Sequence, residues 1–539
     1  MMPATMLDQP PEGSDDTGPG LAGDIALCLS GGGYRAAAFH LGVLDLLDRV
    51  ALLPKVRTLS TISGGTIVGA AWALSCARRE SFGAFYARAW ETLRSLNVVK
   101  EAVARLAARG PHDPSASLIR AAARVYAGSP LYGDAKLGEL IDSPHGPDEL
   151  IFSATEFHSG RAYRFQTSRR TRVKVGNLAP LEIPAAVARE VRIADVVAAS
   201  SCFPGAFEPL VFPRDFAWSD AAAVREQLGG ERFPPVPLMD GGIYDNQGVD
   251  GALTVYERAG MFDQLGLLLV SDTSKRREPL FAEPKASGLP GMRMKTVARL
   301  ARVGFWLALL SFVAVLYPLV SAPWAGAWTW KTLVLLLFTS VVPAVLAGGT
   351  TYLLWRLRRA VARQMESIRA DTGVDLPPLL AGLRLRDVGD LASRRIGSVL
   401  AMVNDVSMKR VRRLIQQSLL GEGSRYQRRA RLVLIYDVDA RRSKPRERHP
   451  DLLPSLELQL LSRRAEAVPT TLWADEEQLR DFVACGQATA CLKLLEHLRE
   501  RRAAALATPG SAEATLEAAL LPLWATLQDN PYALLQRSR

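Results

Sequence analysis

The chain has 539 residues, 48% of them hydrophobic, and 66 Lys and Arg stand against 55 Asp and Glu for a formal net charge of +11. This excludes a disulfide-stapled miniprotein and a disordered polymer, and leaves room for a large core or two to four domains. The positive balance asks for a negatively charged partner; with no zinc-finger spacing, RNP-like segment or helix-turn-helix pattern, nucleic acid is not expected and anionic lipid is the better candidate. The five cysteines, Cys28, Cys76, Cys202, Cys485 and Cys491, are scattered among apolar residues without a C-x-x-C pair, so they read as buried small hydrophobes in a reducing compartment and no metal is expected.

Residues 1–23 are rich in Pro, Gly and Asp and read as a disordered leader, with neither the basic start nor the apolar core of a signal peptide. Asp24 to Ser30, DIALCLS, reads as a buried strand, followed by Gly31-Gly32-Gly33-Tyr34-Arg35 and a helix with Phe39, Val43 and Leu47 on one face. Three glycines let backbone N–H groups face a ligand. They suit an oxyanion, or a dinucleotide phosphate, since Gly31, Gly33 and Ala36 satisfy G-x-G-x-x-A. The dinucleotide reading needs an acidic residue at the end of the next strand, and that strand, within Thr58 to Trp72, ends in Ser63-Gly64-Gly65 instead. Strand, tight turn and Ala-rich helix make Ser63 the candidate nucleophile, although Thr61 stands where G-x-S-x-G has a glycine. His40, in the helix after the glycine loop, reads as a packing or solvent-facing residue.

Phe82 to Tyr126 reads as mostly helical, with Arg109 to Leu137 either a lid or a plain surface helix pair. Strands are predicted at Leu150 to Ala154 and Tyr163 to Thr167. Next comes a basic run, Arg169, Arg170, Arg172 and Lys174, either a solvated loop or a contact for lipid phosphate. The stretch PLMDGGIYDNQG holds Asp240 in a Gly-Gly turn after a short apolar segment, where burial can raise a carboxyl into the range of a general base. Gly266 to Asp272, GLLLVSD, reads as a buried strand.

Four motifs in order, Gly31 to Arg35, Ser63, the segment AASSCFPGAFEP at 198–209 and Asp240-Gly241-Gly242, resemble those of the patatin-like phospholipases, over about half of the chain. The segment at 198–209 looks like that family's A-S-x-x-x-P. The resemblance implies an α/β fold with a mainly parallel sheet and flanking helices, and a Ser-Asp dyad without a catalytic histidine. It makes Ser63 the nucleophile and Asp240 the base, with Gly31, Gly32, Gly33 and Gly64 around the oxyanion and Arg35, Gly65, Gly241 and Gly242 in support. It implies no cofactor.

Residues 303–330 and 332–355 contain no charge and are separated by Lys331 alone, each long enough to cross roughly 30 Å of hydrocarbon. Trp324, Trp328 and Trp330 cluster at the turn with Pro323 and Gly326. Arg293, Lys295, Arg299 and Arg302 flank one end and Arg356, Arg358, Arg359 and Arg363 the other, so both ends of the hairpin are expected in the cytoplasm. A basic patch follows at Lys409, Arg410, Arg412 and Arg413. Arg431 to Val438 is a buried-strand pattern expected to rejoin the sheet, and Pro469 to Leu492 resembles the closing segment of bacterial members of the family. The expected plan is a leader (1–23), a first catalytic part (24–290), a transmembrane hairpin with basic flanks (291–365), a segment returning to the catalytic domain (366–500) and a helical tail (501–539). The expected function is a lipid acyl hydrolase of the bacterial inner membrane, its catalytic domain facing the cytoplasm and its substrate a phospholipid or lysophospholipid. A non-catalytic lipid-binding scaffold and a lipid acyltransferase are the alternatives. Nothing in the pattern sets an oligomeric state.

Overall fold

Residues 25–29 are buried on both sides, and their alternation sorts them: Ile25, Leu27 and Leu29 enter the large core, Ala26 and Cys28 a smaller one on the opposite face. Burial on both faces is what a parallel sheet covered by helices requires. The structure, a computed structural model, describes residues 20–108, 117–170, 174–176, 183–204, 206–273, scattered positions between 296 and 352, 402–420, 432–436, 438, 449–468, 473–503 and 511–537. Among these, nine strands form one sheet: β1 (Asp24–Leu29), β2 (Val56–Ile62), β3 (Glu149–Glu156), β4 (Ala162–Ser168), β5 (Lys174–Val175), β6 (Leu210–Phe212), β7 (Val236–Asp240), β8 (Leu265–Ser271) and β9 (Leu432–Ile435). The order is β5-β4-β3-β2-β1-β8-β9, parallel from β3 to β9 and antiparallel at β4 and β5, with β7 joining β3 to β6.

Helices α1 (Gly33–Arg49), α2 (Gly64–Ala77), α3 (Phe82–Ser95), α4 (Val98–Ala107), α5 (Leu118–Ala127), α6 (Leu137–Asp142), α7 (Ala185–Glu190) and α8 (Ile193–Ser200) precede α9 (Ala221–Gln227) and α10 (Val249–Arg258). Beyond the sheet's break come α11 (Met408–Leu420), α12 (Leu456–Ala467), α13 (Glu476–Ala503) and α14 (Ala512–Asp529). The large core takes residues from α1, α2, α3, α5, α8, α13 and α14; Val249, Ala252 and Tyr256 of α10 cover the other face. The helix α5 buries Ile119, Ala122, Val125 and Tyr126 and packs on α4 and α8, as a helix pair does. Residues 109–116 of the segment read as a possible lid lie outside the described residues.

Register places the candidate site. Ile62, the last residue of β2, is level with Ser153 of β3, and the next residue of β3, Ala154, is level with Asp240 of β7. On its other edge β3 pairs with β4 through residue 155, so β7 takes up the edge that β2 vacates and runs antiparallel to it. The C-terminal ends of β2 and β7 therefore meet head to head along β3.

The chain divides into two compact units, one of residues 1–278 and 402–539, the other of 279–401, which is wider on both sides than the predicted hairpin segment. In the first, β9 adds to β8 in parallel, Leu268 to Ser271 level with Leu432 to Ile435. The predicted hairpin at 303–355 lies mostly outside the described residues, and among those described no helix is long and apolar enough to cross a membrane. The leader lies outside them too, except for the turn Gly20–Ala22 before β1.

Candidate active site

Ser63 follows β2 directly and caps α2 with φ 48° and ψ −116°, in a left-handed region that side-chain-bearing residues seldom occupy. This turns the serine out of the strand while its carbonyl accepts the N–H groups of Thr66 (2.9 Å) and Ile67 (3.2 Å) to start the helix. Its own N–H donates to Ser200 Oγ at 2.9 Å. Gly65 N–H donates to Ser30 O at 3.1 Å, joining the elbow to the glycine loop.

Thr61 is wholly buried at the end of β2, and its methyl group lies where a β-carbon on Gly69 would come within 2.6 Å of it. The glycine missing at position 61 is thus compensated one helical stretch later. Thr61 Oγ1 also meets Thr66 Oγ1 at 2.9 Å.

Asp240 is 2% exposed. Burial lifts its carboxyl to about 6, opposed by the Ser63 hydroxyl beside it and by a hydrogen bond from the Gly242 N–H. The Gly242 bond spans 2.8 Å to Oδ1, Asp240 N–H donates to Cys202 O at 2.9 Å, and Thr155 Oγ1 donates to Asp240 O at 2.9 Å. Gly241 accepts the N–H groups of Tyr244 and Asp245 and closes the turn. A hydroxyl set beside a buried carboxylate of this basicity, on a strained elbow, is placed to give up its proton and attack an electrophilic carbon.

The glycine loop sits at the end of β1, between β2 and β8, where the strand order changes direction and ligands of open α/β sheets bind. Gly32 and Gly33 have φ 144° and 64°, which aim the backbone as no L side chain readily allows. The N–H groups of Gly32, Gly33 and Gly64 bond to no described residue, and Gly64 lies against Gly33 O. Gly31 differs from the expectation: its N–H donates to Asn246 O at 2.9 Å and so has no hydrogen left for an oxyanion. It anchors the loop to the turn after Asp240.

His40 is wholly buried beneath the loop, and burial lowers it to about 4. Its Nε2 is 2.9 Å from Ser30 O, which can only accept, so the proton is on Nε2 and Nδ1 accepts from Ser271 Oγ at 2.8 Å. It is a neutral strut. Arg35, also buried, donates to Thr273 O (2.6 Å) and Val468 O (3.1 Å), so its support is structural. The dinucleotide reading lacks its acidic residue: β2 ends at Ile62 and Ser63, and Asp45 in α1 is bonded to Arg49, Gln487 and Arg537.

Of the basic residues read as possible lipid contacts, Arg169, Arg170 and Arg412 are engaged within the fold. Arg169 and Arg170 pair with Asp148, and Arg170 also with Asp24. Arg412 pairs with buried Asp272 at 2.9 Å and lies over the Tyr436 ring. All five cysteines are free, four of them buried, and among the described residues no group of His, Cys, Asp and Glu could hold a metal. Sequence reasoning assigned no role to Ser200 or Asn246, although both lie inside segments it singled out.

The fold and this pair of side chains define the class: an α/β domain with a serine elbow and a buried aspartate at the C-terminal edge of its sheet. Residues 27–253 match the family model described as patatin-like phospholipase. No curated protein sequence matches the chain significantly. Among solved structures, the human GIVD cytosolic phospholipase A2 is 14% identical with a TM-score of 0.28, covering 47% of this chain and 46% of that one. This chain thus spans less than half of that protein. VipD from Legionella pneumophila is 12% identical with a TM-score of 0.23, over 95% of this chain and 91% of its own. At such scores neither likeness bears on the chemistry.

Proposed function

We propose that the protein is a serine acyl hydrolase of glycerolipid esters, of phospholipase A or lysophospholipase type, working through Ser63 and Asp240. The observation that carries this reading is the Ser63 hydroxyl, on its left-handed elbow, set beside a buried carboxyl whose pKa is about 6. Ser63 Oγ attacks the ester carbonyl as its proton passes to Asp240, and the N–H groups of Gly32, Gly33 and Gly64 receive the oxyanion. The C–O bond to the glycerol oxygen then breaks, and that oxygen takes the proton from Asp240. Water, deprotonated by Asp240, attacks the acyl-serine and releases the fatty acid; Ser63 recovers its proton. No metal or cofactor enters these steps.

The test is intact-mass measurement after treatment with a fluorophosphonate, which exchanges fluoride for an activated serine oxygen. Wild type is expected to gain one adduct and Ser63→Ala none, and both Ser63→Ala and Asp240→Asn to lose phospholipid hydrolysis. No adduct on folded wild type, with access of the probe verified, would turn the assignment to a lipid-binding scaffold. Acyl transfer to a labelled alcohol in preference to water would make it an acyltransferase.

Membrane anchoring through 303–355 is part of the same proposal. It is supported by the two charge-free stretches and by the exposure of the large apolar side chains described there, with Trp306 63%, Leu310 66% and Trp330 71% exposed. The basic flanks favour a cytoplasmic catalytic domain at a bacterial inner membrane, and anchoring beside the substrate would raise its local concentration. Full-length protein is expected to stay with membranes through alkaline carbonate extraction; release into the supernatant would remove the anchor from the proposal.

A further inference from the structure

We infer that Ser200 is a positioning residue for Ser63, an inference that rests on the serine chemistry proposed above. A residue with a β-carbon at φ 48° is strained and keeps that geometry only if its surroundings hold it. The Ser63 carbonyl is held by the first turn of α2. Its N–H is held by one atom, Ser200 Oγ at 2.9 Å, on the wholly buried last residue of α8.

Ser200 is in turn bound to the strand that sets the pair. Its hydroxyl donates to Ser153 O at 2.7 Å, and Ser153 is level with Ile62, the residue before the nucleophile, and adjacent to Ala154, which is level with Asp240. One oxygen therefore ties the nucleophile's amide to the segment of β3 that sets the distance to the base. The proton order follows from counting. Ser200 has given its proton to Ser153, so in its 2.8 Å contact with Thr66 Oγ1 the donor is Thr66; Thr66 has then given its own, so in the 2.9 Å contact with Thr61 Oγ1 the donor is Thr61. The relay Thr61 to Thr66 to Ser200 to Ser153 O uses every hydroxyl proton once and leaves Ser200 Oγ as acceptor for Ser63 N–H. The threonine that departs from G-x-S-x-G is the head of this relay.

Ser200 touches neither substrate nor the reacting oxygen, so its loss should slow chemistry without weakening binding. The experiment uses full-length protein and compares wild type, Ser200→Ala and Ser75→Ala, with fluorophosphonate labelling rate per titrated active molecule and kcat and KM on a soluble short-chain ester as readouts. Ser75 is a matched control: its hydroxyl is buried in the same α2 and donates only to Trp72 O. Ser200→Ala is expected to label and turn over at least about tenfold more slowly with KM little changed, whereas Ser75→Ala keeps the wild-type rate per active molecule. If Ser200→Ala does not fold, Ser200→Cys, which keeps a weaker acceptor at the same place, is expected to label at a reduced rate. A wild-type rate in the folded Ser200 variant, or an equal loss in Ser75→Ala, overturns the inference. Failure of wild type itself to label overturns the serine-hydrolase reading and takes this inference with it.

Discussion

Asp240 and His40 were both available as bases, and burial separates them. Burial lifts the Asp240 carboxyl to about 6 and lowers His40 to about 4, and His40 spends its one proton on a carbonyl beneath the loop. Of the groups facing Asp240, Tyr126 is pushed up to about 12 by burial and the Cys202 thiol is also pushed up, so neither titrates in the working range. A base must be ionised, so kcat/KM is expected to fall with decreasing pH through a midpoint near 6; a profile flat to pH 4 would contradict Asp240 as the base. The same shift bears on stability. A carboxyl whose folded pKa lies above its unfolded value binds its proton more tightly when folded, so its destabilisation is absent below about pH 4 and complete above about pH 6. That difference is worth about 3 kcal/mol, and Asp240→Asn, while inactive, is expected to be more stable than wild type at pH 8 by ~1–3 kcal/mol. The gain should vanish near pH 4, as checked by urea unfolding at both values.

The elbow is an agreement between a strand and the helix that follows it. Thr61 can stand at the end of β2 because Gly69, in the third turn's worth of chain beyond, has no side chain to meet its methyl group. A β-carbon there overpacks a buried contact, so Gly69→Ala is expected to lose ~1–3 kcal/mol, with Thr61→Ser, which removes the methyl group, restoring part of it. Additive losses in the double-mutant cycle would show that the two residues do not share the space. The meeting of β2 and β7 along β3 is of the same kind, since Asp240 reaches Ser63 only because Ser153 and Ala154 are consecutive.

Beyond residue 401 the chain is built back into the first unit. The helices α1 and α13 cross with backbones in contact: a β-carbon on Gly42 would strike Val483 O, and one on Gly486 would strike Phe39 O. Gly486→Ala is expected to lower the thermal midpoint and, by shifting α1, to slow fluorophosphonate labelling, which a merely peripheral helix would not do. Near the end of the chain, in the segment expected as a helical tail, Arg537 pairs with Asp45 and Asp48 and lies over the Phe82 ring, 4.5 Å to its centre. Its loss leaves the wholly buried Asp45 with fewer donors, and Arg537→Ala is expected to destabilise by ~1–3 kcal/mol, read from thermal or urea unfolding.

Local features announce themselves in a chain because they depend on neighbours in sequence. The strand at 24–29, the turn at Ser63, the glycine loop and the buried strand before Asp272 were legible for that reason, and so were Ser63 and Asp240 as candidates. The return of β9 to the sheet could be anticipated from its apolar run. What no local pattern carries is register and the partner of each polar atom. That Gly31 gives its N–H to Asn246, that Arg412 serves Asp272, and that Ser200 holds the amide of Ser63 are contacts between residues at least 137 positions apart. Hydrophobic periodicity assigns faces to strands and helices; the pairing of individual donors and acceptors follows only once packing has brought those faces together.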